Sequence, residues 1–216
     1  MVSLLKVGHI VSGIVAQTRP DYSAYLVFLT GTEIFAFLPH EYAKERYRVG
    51  ADIVACIFLF ERSRIVLTQT SSQYYRKVAE ALFDPLIREE KIRIRRVAHV
   101  RQAGFVKIAI ENLALKEEEF LKVCLPCLDT AKHYLSETVT LVRYRRDIHD
   151  YIREALVPAP KEKILKVIYA ESSREARVTV EPRYLGKFLG VRCANVACAA
   201  KLLDIRIEIT TPKEAP

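Results

Sequence analysis

Residues 185–209 read LGKFLGVRCANVACAAKLLDIRIEI. This stretch predicts a short helix, a tight turn at Gly190, a second helix and a strand. In the second helix Val196, Ala199, Ala200 and Leu203 fall at i, i+3, i+4 and i+7, a core-facing stripe. A glycine between two helices lets the backbone come close to another chain with no Cβ in the way. The N–H groups that open the following helix favour an anion.

Working outward, Ile164–Ala170 and Ala176–Val180 have strand composition, Arg183–Leu189 and Ala194–Leu203 are helical, and Ile205–Ile209 is the last strand. The same succession occurs upstream. Lys91–Ala98 and Phe105–Glu111 read as strands that could form an antiparallel pair. Glu117–Leu135 is helical, and Pro126 is expected to break it into two helices. Glu137–Arg143 is a strand, and Asp147–Leu156 a helix stopped by Pro158 and Pro160. Two copies of strand–strand–helix–helix–strand result, divided by a linker around Val157-Pro158-Ala159-Pro160.

Before these copies the period changes. Val7–Thr18, Tyr22–Leu29, Glu33–Leu38, Asp52–Glu61 and Arg64–Thr68 are rich in Val, Ile, Tyr and Phe, with turns at Arg19-Pro20-Asp21, Thr30-Gly31-Thr32 and Val49-Gly50. Five short strands in so short a span predict a small closed barrel of the OB type. Ser71–Phe83 then turns helical, with Tyr75, Val78, Ala79 and Leu82 on one face and Ser71 or Ser72 as N-cap. The fold class is α+β.

The 216 residues are half apolar, enough for a core, and the net charge of +8 with a pI near 9.2 suits a polyanionic partner. Simple solubility is the plainer reading of that charge. No run of about 18 apolar residues exists to span a membrane. The N-terminus MVSLLKVGHIVSG lacks the features of a signal peptide. Five cysteines without an export signal suggest free thiols in a reducing cytoplasm.

Several segments together resemble the transcription termination/antitermination factor NusA family. Glu45-Arg46-Tyr47-Arg48-Val49-Gly50 is similar to the family's E-R-Y-R-x-G, and Lys107-Ile108-Ala109-Ile110 to its K-[IV]-A-V strand. Asp147 through Ala159 (DIHDYIREALVPA) resembles the helix D-P-x-x-F-I-x-N-A-L-x-P-A that joins two KH modules. Ile164-Leu165-Lys166-Val167 and Asn195-Val196-x-x-Ala199-Ala200-Lys201-Leu202 match the second module. The resemblance implies a five-stranded S1-type barrel over 1–70, a first KH module over 71–159 and a second over 160–216. It also implies single-stranded RNA as partner, RNA polymerase or other transcription factors as further partners, and no cofactor or metal.

Three departures from the family stand out. Its polymerase-binding N-terminal domain is not in this sequence, whose barrel begins almost at Met1. The KH loop is Gly-x-x-Gly and clamps the backbone of about four nucleotides. Here the first aligns to Leu121-Lys122-Val123-Cys124, with neither glycine, and the second to Gly190-Val191-Arg192-Cys193, with one.

Candidate RNA-binding residues follow from module and chemistry. On strand two, Tyr22 and Tyr25 fit the aromatic-x-x-aromatic pair that stacks bases in S1-type barrels; a bulge near Ser23 is required to bring both to one face, and the alternative is barrel-wall packing. Related barrels often carry a strand-three histidine; Pro39 occupies that place with His40 beside it. Around the second loop, Arg183, Lys187, Gly190, Arg192 and Lys201 would meet phosphate, against an ordinary solvated basic face. Asn195 would cap its helix or bond a base edge. Lys122 and Lys132 could meet phosphate in the first module, although a structural role suits that module better. The basic runs Lys91–Arg96 and Arg143–Arg146 suit single-stranded RNA beside tyrosine, or a solvated sheet face.

Cys124-Leu125-Pro126-Cys127 invites a zinc or thiol-redox reading, but no second ligand pair at metal spacing is evident. Paired catalytic carboxylates, a nucleophile elbow and a phosphate-binding loop are likewise not evident. The expectation is a cytoplasmic, non-enzymatic RNA-binding transcription factor that captures RNA along one basic face. A protein-interaction scaffold of the same fold with reduced RNA affinity is the alternative, and a thiol-redox protein the third.

Overall fold

A computed structural model describes residues 5–61, 64–131, 135 and 137–212. The chain forms two compact units, Met1–Ala81 and Leu82–Pro216.

In the first unit, β1 (Ile10–Arg19), β2 (Ala24–Leu29), β3 (Phe35–Pro39), β4 (Asp52–Glu61) and β5 (Arg64–Thr68) close into the expected five-stranded barrel in the order β1-β2-β3-β5-β4. All neighbours are antiparallel except β3 and β5. Alternation sends Tyr25, Val27 and Leu29 of β2 and Ala36 and Leu38 of β3 inward, and closure gives each strand two neighbours. A Cβ at Gly13 would come 2.6 Å from Phe28 O, so β1 and β2 cross too closely there for any side chain. Helix α1 (Ser72–Leu82) is capped by Ser71, whose Oγ accepts the Tyr74 N–H at 3.1 Å. It buries Tyr74, Tyr75, Val78 and Ala79.

The expected strand Tyr22–Leu29 starts two residues late. Pro20–Tyr22 is a 3-10 turn, closed by Ser23 N–H on Pro20 O at 3.1 Å, and Ser23 is left-handed (φ 46°, ψ 44°). Tyr22 therefore lies outside β2.

The second unit contains α2 (Asp84–Arg88), β6 (Ile92–Val100), β7 (Phe105–Asn112), α3 (Glu117–Ala131), β8 (Thr138–Arg143), α4 (Ile148–Ala155), β9 (Ile164–Ala170), β10 (Glu175–Val180), α5 (Leu185–Leu189), α6 (Ala194–Leu203) and β11 (Arg206–Thr210). Its two sheets, β6-β7-β8 and β9-β10-β11, share one topology: an antiparallel hairpin whose second strand pairs in parallel with the last strand. The repeat anticipated from the sequence is present, with one difference.

Among the described residues between β7 and β8 there is one helix, not two. Pro126 lies inside α3, on its exposed side. A proline in a helix interior costs about 3 kcal/mol. Phe120 and Cys124, one turn apart and both buried, offset this at about 1.5–3 kcal/mol for a fully buried large apolar side chain. Leu121, Lys122, Val123 and Cys124 are thus helical, and the loop expected at these positions is not formed. Lys132 lies outside the described residues.

The two halves of this unit share a core. Ala98, Ala109 and Val142 of the first sheet pack with Ile152 and Ala155 of α4 and with Phe188, Cys198 and Leu202 of the second half. Helix α4 starts at Asp147, whose Oδ1 accepts the Asp150 N–H at 2.9 Å.

Candidate nucleic-acid interface

On the barrel, the outward positions of β3 and the turn before β2 form an aromatic platform. Tyr22 is 46% exposed and meets Phe37 edge-on, with ring centroids 5.9 Å apart. The Arg64 guanidinium lies 4.8 Å from the Tyr22 centroid and 5.2 Å from that of Phe37. Arg19 approaches the same tyrosine at 5.2 Å and pairs with Asp21 at 2.9 Å. Among the described residues no carboxylate pairs with Arg64. An arginine held over aromatic rings keeps its charge available to phosphate while fixing the rings for stacking.

Tyr25 does not join this surface. It is 5% exposed, its hydroxyl accepts the Tyr47 N–H at 3.1 Å, and its ring packs edge-on against Tyr47. The left-handed turn at Ser23 does not act as the required bulge: it leaves Tyr22 outside and Tyr25 inside. His40, in the 3-10 turn after β3, is exposed, with its ring 4.5 Å from that of Tyr25. Phe37 and Arg64 were not anticipated; strict alternation along FAFLP from Phe35 points Phe35 and Phe37 outward and was the available signal. The same alternation leaves the pair Phe28 and Phe35 exposed, 5.2 Å apart.

In the second unit, the segment 183–193 gathers Arg183, Lys187, Gly190 and Arg192 at an exposed helix–loop–helix turn. Gly190 (φ 73°, ψ 174°) closes α5 by donating to Gly186 O at 2.9 Å. Val191 is 81% exposed at the tip. Arg192 (φ 51°) and Cys193 (φ 60°, ψ 21°) are both left-handed. Cys193, where a second loop glycine was expected, thus keeps a glycine-like backbone under a side chain, at about 1–2 kcal/mol of strain. Among the described residues none of Arg183, Lys187 and Arg192 has a carboxylate partner.

Two expected residues serve the fold. Asn195 is buried, and its Nδ2 donates to Leu156 O at 2.9 Å and Phe188 O at 3.0 Å. It makes no side-chain cap and reaches no solvent where a base could lie. Lys201 is about 10 Å along α6 from the loop at 1.5 Å per residue and donates to His99 O at 3.2 Å.

Most arginines of the two basic runs differ from the loop cations in having a carboxylate partner. Arg95 pairs with Glu111 at 2.8 Å and lies 5.0 Å from the Tyr144 ring. Arg143 and Arg145 both bond Glu117, and Arg145 also approaches Glu154 at 3.6 Å. Burial pushes the Cys124 thiol up to about 11 and raises Cys127, the opposite of what a reactive thiolate needs. Among the described residues no group of three His, Cys, Asp or Glu side chains could hold a metal ion.

Two relatives match almost the whole chain. The transcription termination/antitermination protein NusA of Borreliella burgdorferi is 25% identical over 97% of this chain and 44% of its own length. NusA of Halalkalibacterium halodurans is 28% identical over 95% of this chain and 54% of its own. The chain is similar to NusA. It spans about half the length of these relatives. No family model matches it. The crystal structure of APE1850 aligns at a TM-score of 0.45 and 12% identity, over 63% of this chain and 96% of its own.

Proposed function

We propose that this chain is a non-enzymatic, cytoplasmic RNA-binding transcription factor similar to NusA, with an S1-type barrel over 1–70 and KH modules over 71–159 and 160–216. It holds nascent single-stranded RNA and so modulates pausing, termination or antitermination. RNA polymerase or other transcription factors are further partners. The repeated strand–strand–helix–strand topology supports the KH reading. Among the described residues no helix is long and apolar enough to cross a membrane.

One observation carries the RNA reading: cations without carboxylate partners lie beside the aromatic pair Tyr22 and Phe37 and at the loop. Arg64 covers Tyr22 and Phe37, and Arg183, Lys187 and Arg192 flank Gly190, while Arg93, Arg95, Arg143 and Arg145 are tied to Glu111 and Glu117. In this mechanism bases stack on Tyr22 and Phe37, and phosphates meet Arg64 and the loop cations. The barrel contribution tolerates any base, since every base has a stacking face.

The test is a fluorescence anisotropy titration of the full chain with single-stranded RNA at several salt concentrations. Binding that weakens as salt rises supports the reading. No binding even at low salt favours a protein-interaction scaffold. The continuous α3, which leaves Leu121–Cys124 helical where a loop was expected, is the observation on that side.

A further inference from the structure

Lys107 of β7 is wholly buried, with 0% of its surface exposed. Its Nζ donates to Ala155 O at 2.7 Å and to Val157 O, and the Phe105 ring lies 5.4 Å away. The carbonyl between these two, Leu156 O, accepts Asn195 Nδ2 at 2.9 Å. Three successive carbonyls at the end of α4 are therefore taken in alternation by the first half, the second half and the first half again. Asn195 continues the chain of contacts, since it also holds Phe188 O at the end of α5 and lies against Gly190.

Burying an ammonium is costly, so an aliphatic residue would fill this site more cheaply. What a lysine adds is two hydrogen bonds at a helix C-terminus, charge-assisted while the amine is protonated. Both act on the backbone that presents Leu156 O. No carboxylate among the described residues pairs with Lys107; the facing titratable group is the Cys198 thiol of α6, itself bonded to Ala98 O at 3.4 Å.

We propose that Lys107 is a positioning residue for the Gly190–Cys193 loop, acting through the α4 carbonyls and Asn195. The inference rests on the reading of that loop as an RNA contact. It gives the first half, where a helix replaces the loop, a part in RNA binding without touching RNA.

The experiment uses the full chain and a Lys107→Met, Asn195→Ala double-mutant cycle. Amide hydrogen exchange at 190–195, the NMR signals of the Asn195 side-chain amide and affinity for a single-stranded oligouridine are read for each. Loss of one buried bond partner is expected to speed loop exchange by about tenfold. Barrel amides should stay unchanged, and the Asn195 side-chain signals should move in Lys107→Met. The double variant should be no worse than the worse single one, because both changes cut one path. Additive effects, or unchanged loop exchange in a folded Lys107→Met, overturn the proposal. If Lys107→Met does not fold, Asn195→Ala decides: an unchanged loop there also overturns it. Loop release in a parent chain that binds no RNA leaves the positioning standing and removes the functional reading.

Discussion

Gly190 lies against Asn195 so closely that a Cβ on the glycine would sit 2.8 Å from Asn195 Cβ and 2.9 Å from its backbone nitrogen. With φ at 73°, the position is closed to other residues on two counts, backbone conformation and space. Gly190→Ala is expected to destabilise the chain by about 1–3 kcal/mol, read by thermal or denaturant unfolding, and to weaken RNA binding in a titration.

Cys193 makes the opposite case. Its left-handed backbone has open surroundings, since the residue is exposed. Cys193→Gly should stabilise the fold by about 1 kcal/mol and tighten RNA binding, as measured by unfolding and titration. Weaker binding in the variant means that the cysteine side chain itself makes a contact.

Arg192→Ala should lower RNA affinity by a similar factor for different sequences, because a phosphate contact carries no base information. The slope of log affinity against log salt should flatten by about 0.7 for one contact to a single strand. An unchanged slope removes Arg192 from the phosphate role.

The barrel tyrosines should separate. Tyr22→Ala and Phe37→Ala are each expected to cost about 1–3 kcal/mol of RNA binding with little change in stability. Tyr25→Phe loses the bond from Tyr47 N–H and should cost about 1 kcal/mol of stability while leaving RNA affinity alone. Titration and unfolding of the three variants check this division.

Burial pushes Lys107 from 10.5 down to about 7. The unfolded chain then holds this proton where the folded chain has released it, so Lys107 makes stability rise with pH from about 7 upward. The rise is read between pH 7 and 9. Above that the buried thiols of Cys124 and Cys198, both held up at about 11, act in the opposite direction. Denaturant unfolding across this range should show the slope in the parent chain and lose it in Lys107→Met.

The parts of the fold that local pattern determines were legible in the sequence. Richness in Val, Ile, Tyr and Phe between turn signals marked the five barrel strands, and the stripe Val196, Ala199, Ala200, Leu203 lies within α6, Ala194–Leu203. Pro126 misled because propensity is local, whereas the burial of Phe120 and Cys124 that carries α3 through it is tertiary. Tyr22 and Tyr25 parted because positions three apart fall on opposite faces, and the left-handed Ser23 does not act as the bulge that would join them; serine is no signal for that conformation. Asn195 was misjudged for a different reason: its decisive partner, Leu156 O, is 39 residues away. Lys107 drew notice in the sequence only as part of a motif, since its burial at carbonyls 48 and 50 residues downstream has no local signature.

The central claim is that Arg64 and the loop cations, with Tyr22 and Phe37, bind single-stranded RNA. It is tested most directly by titrating one RNA, at several salt concentrations, against the parent chain and an Arg64→Ala, Lys187→Ala, Arg192→Ala variant. The account predicts salt-sensitive binding by the parent, and in the variant a large loss with a salt slope flatter by about 2 at 0.7 per phosphate contact. Equal affinity and equal slope in the two proteins would contradict it.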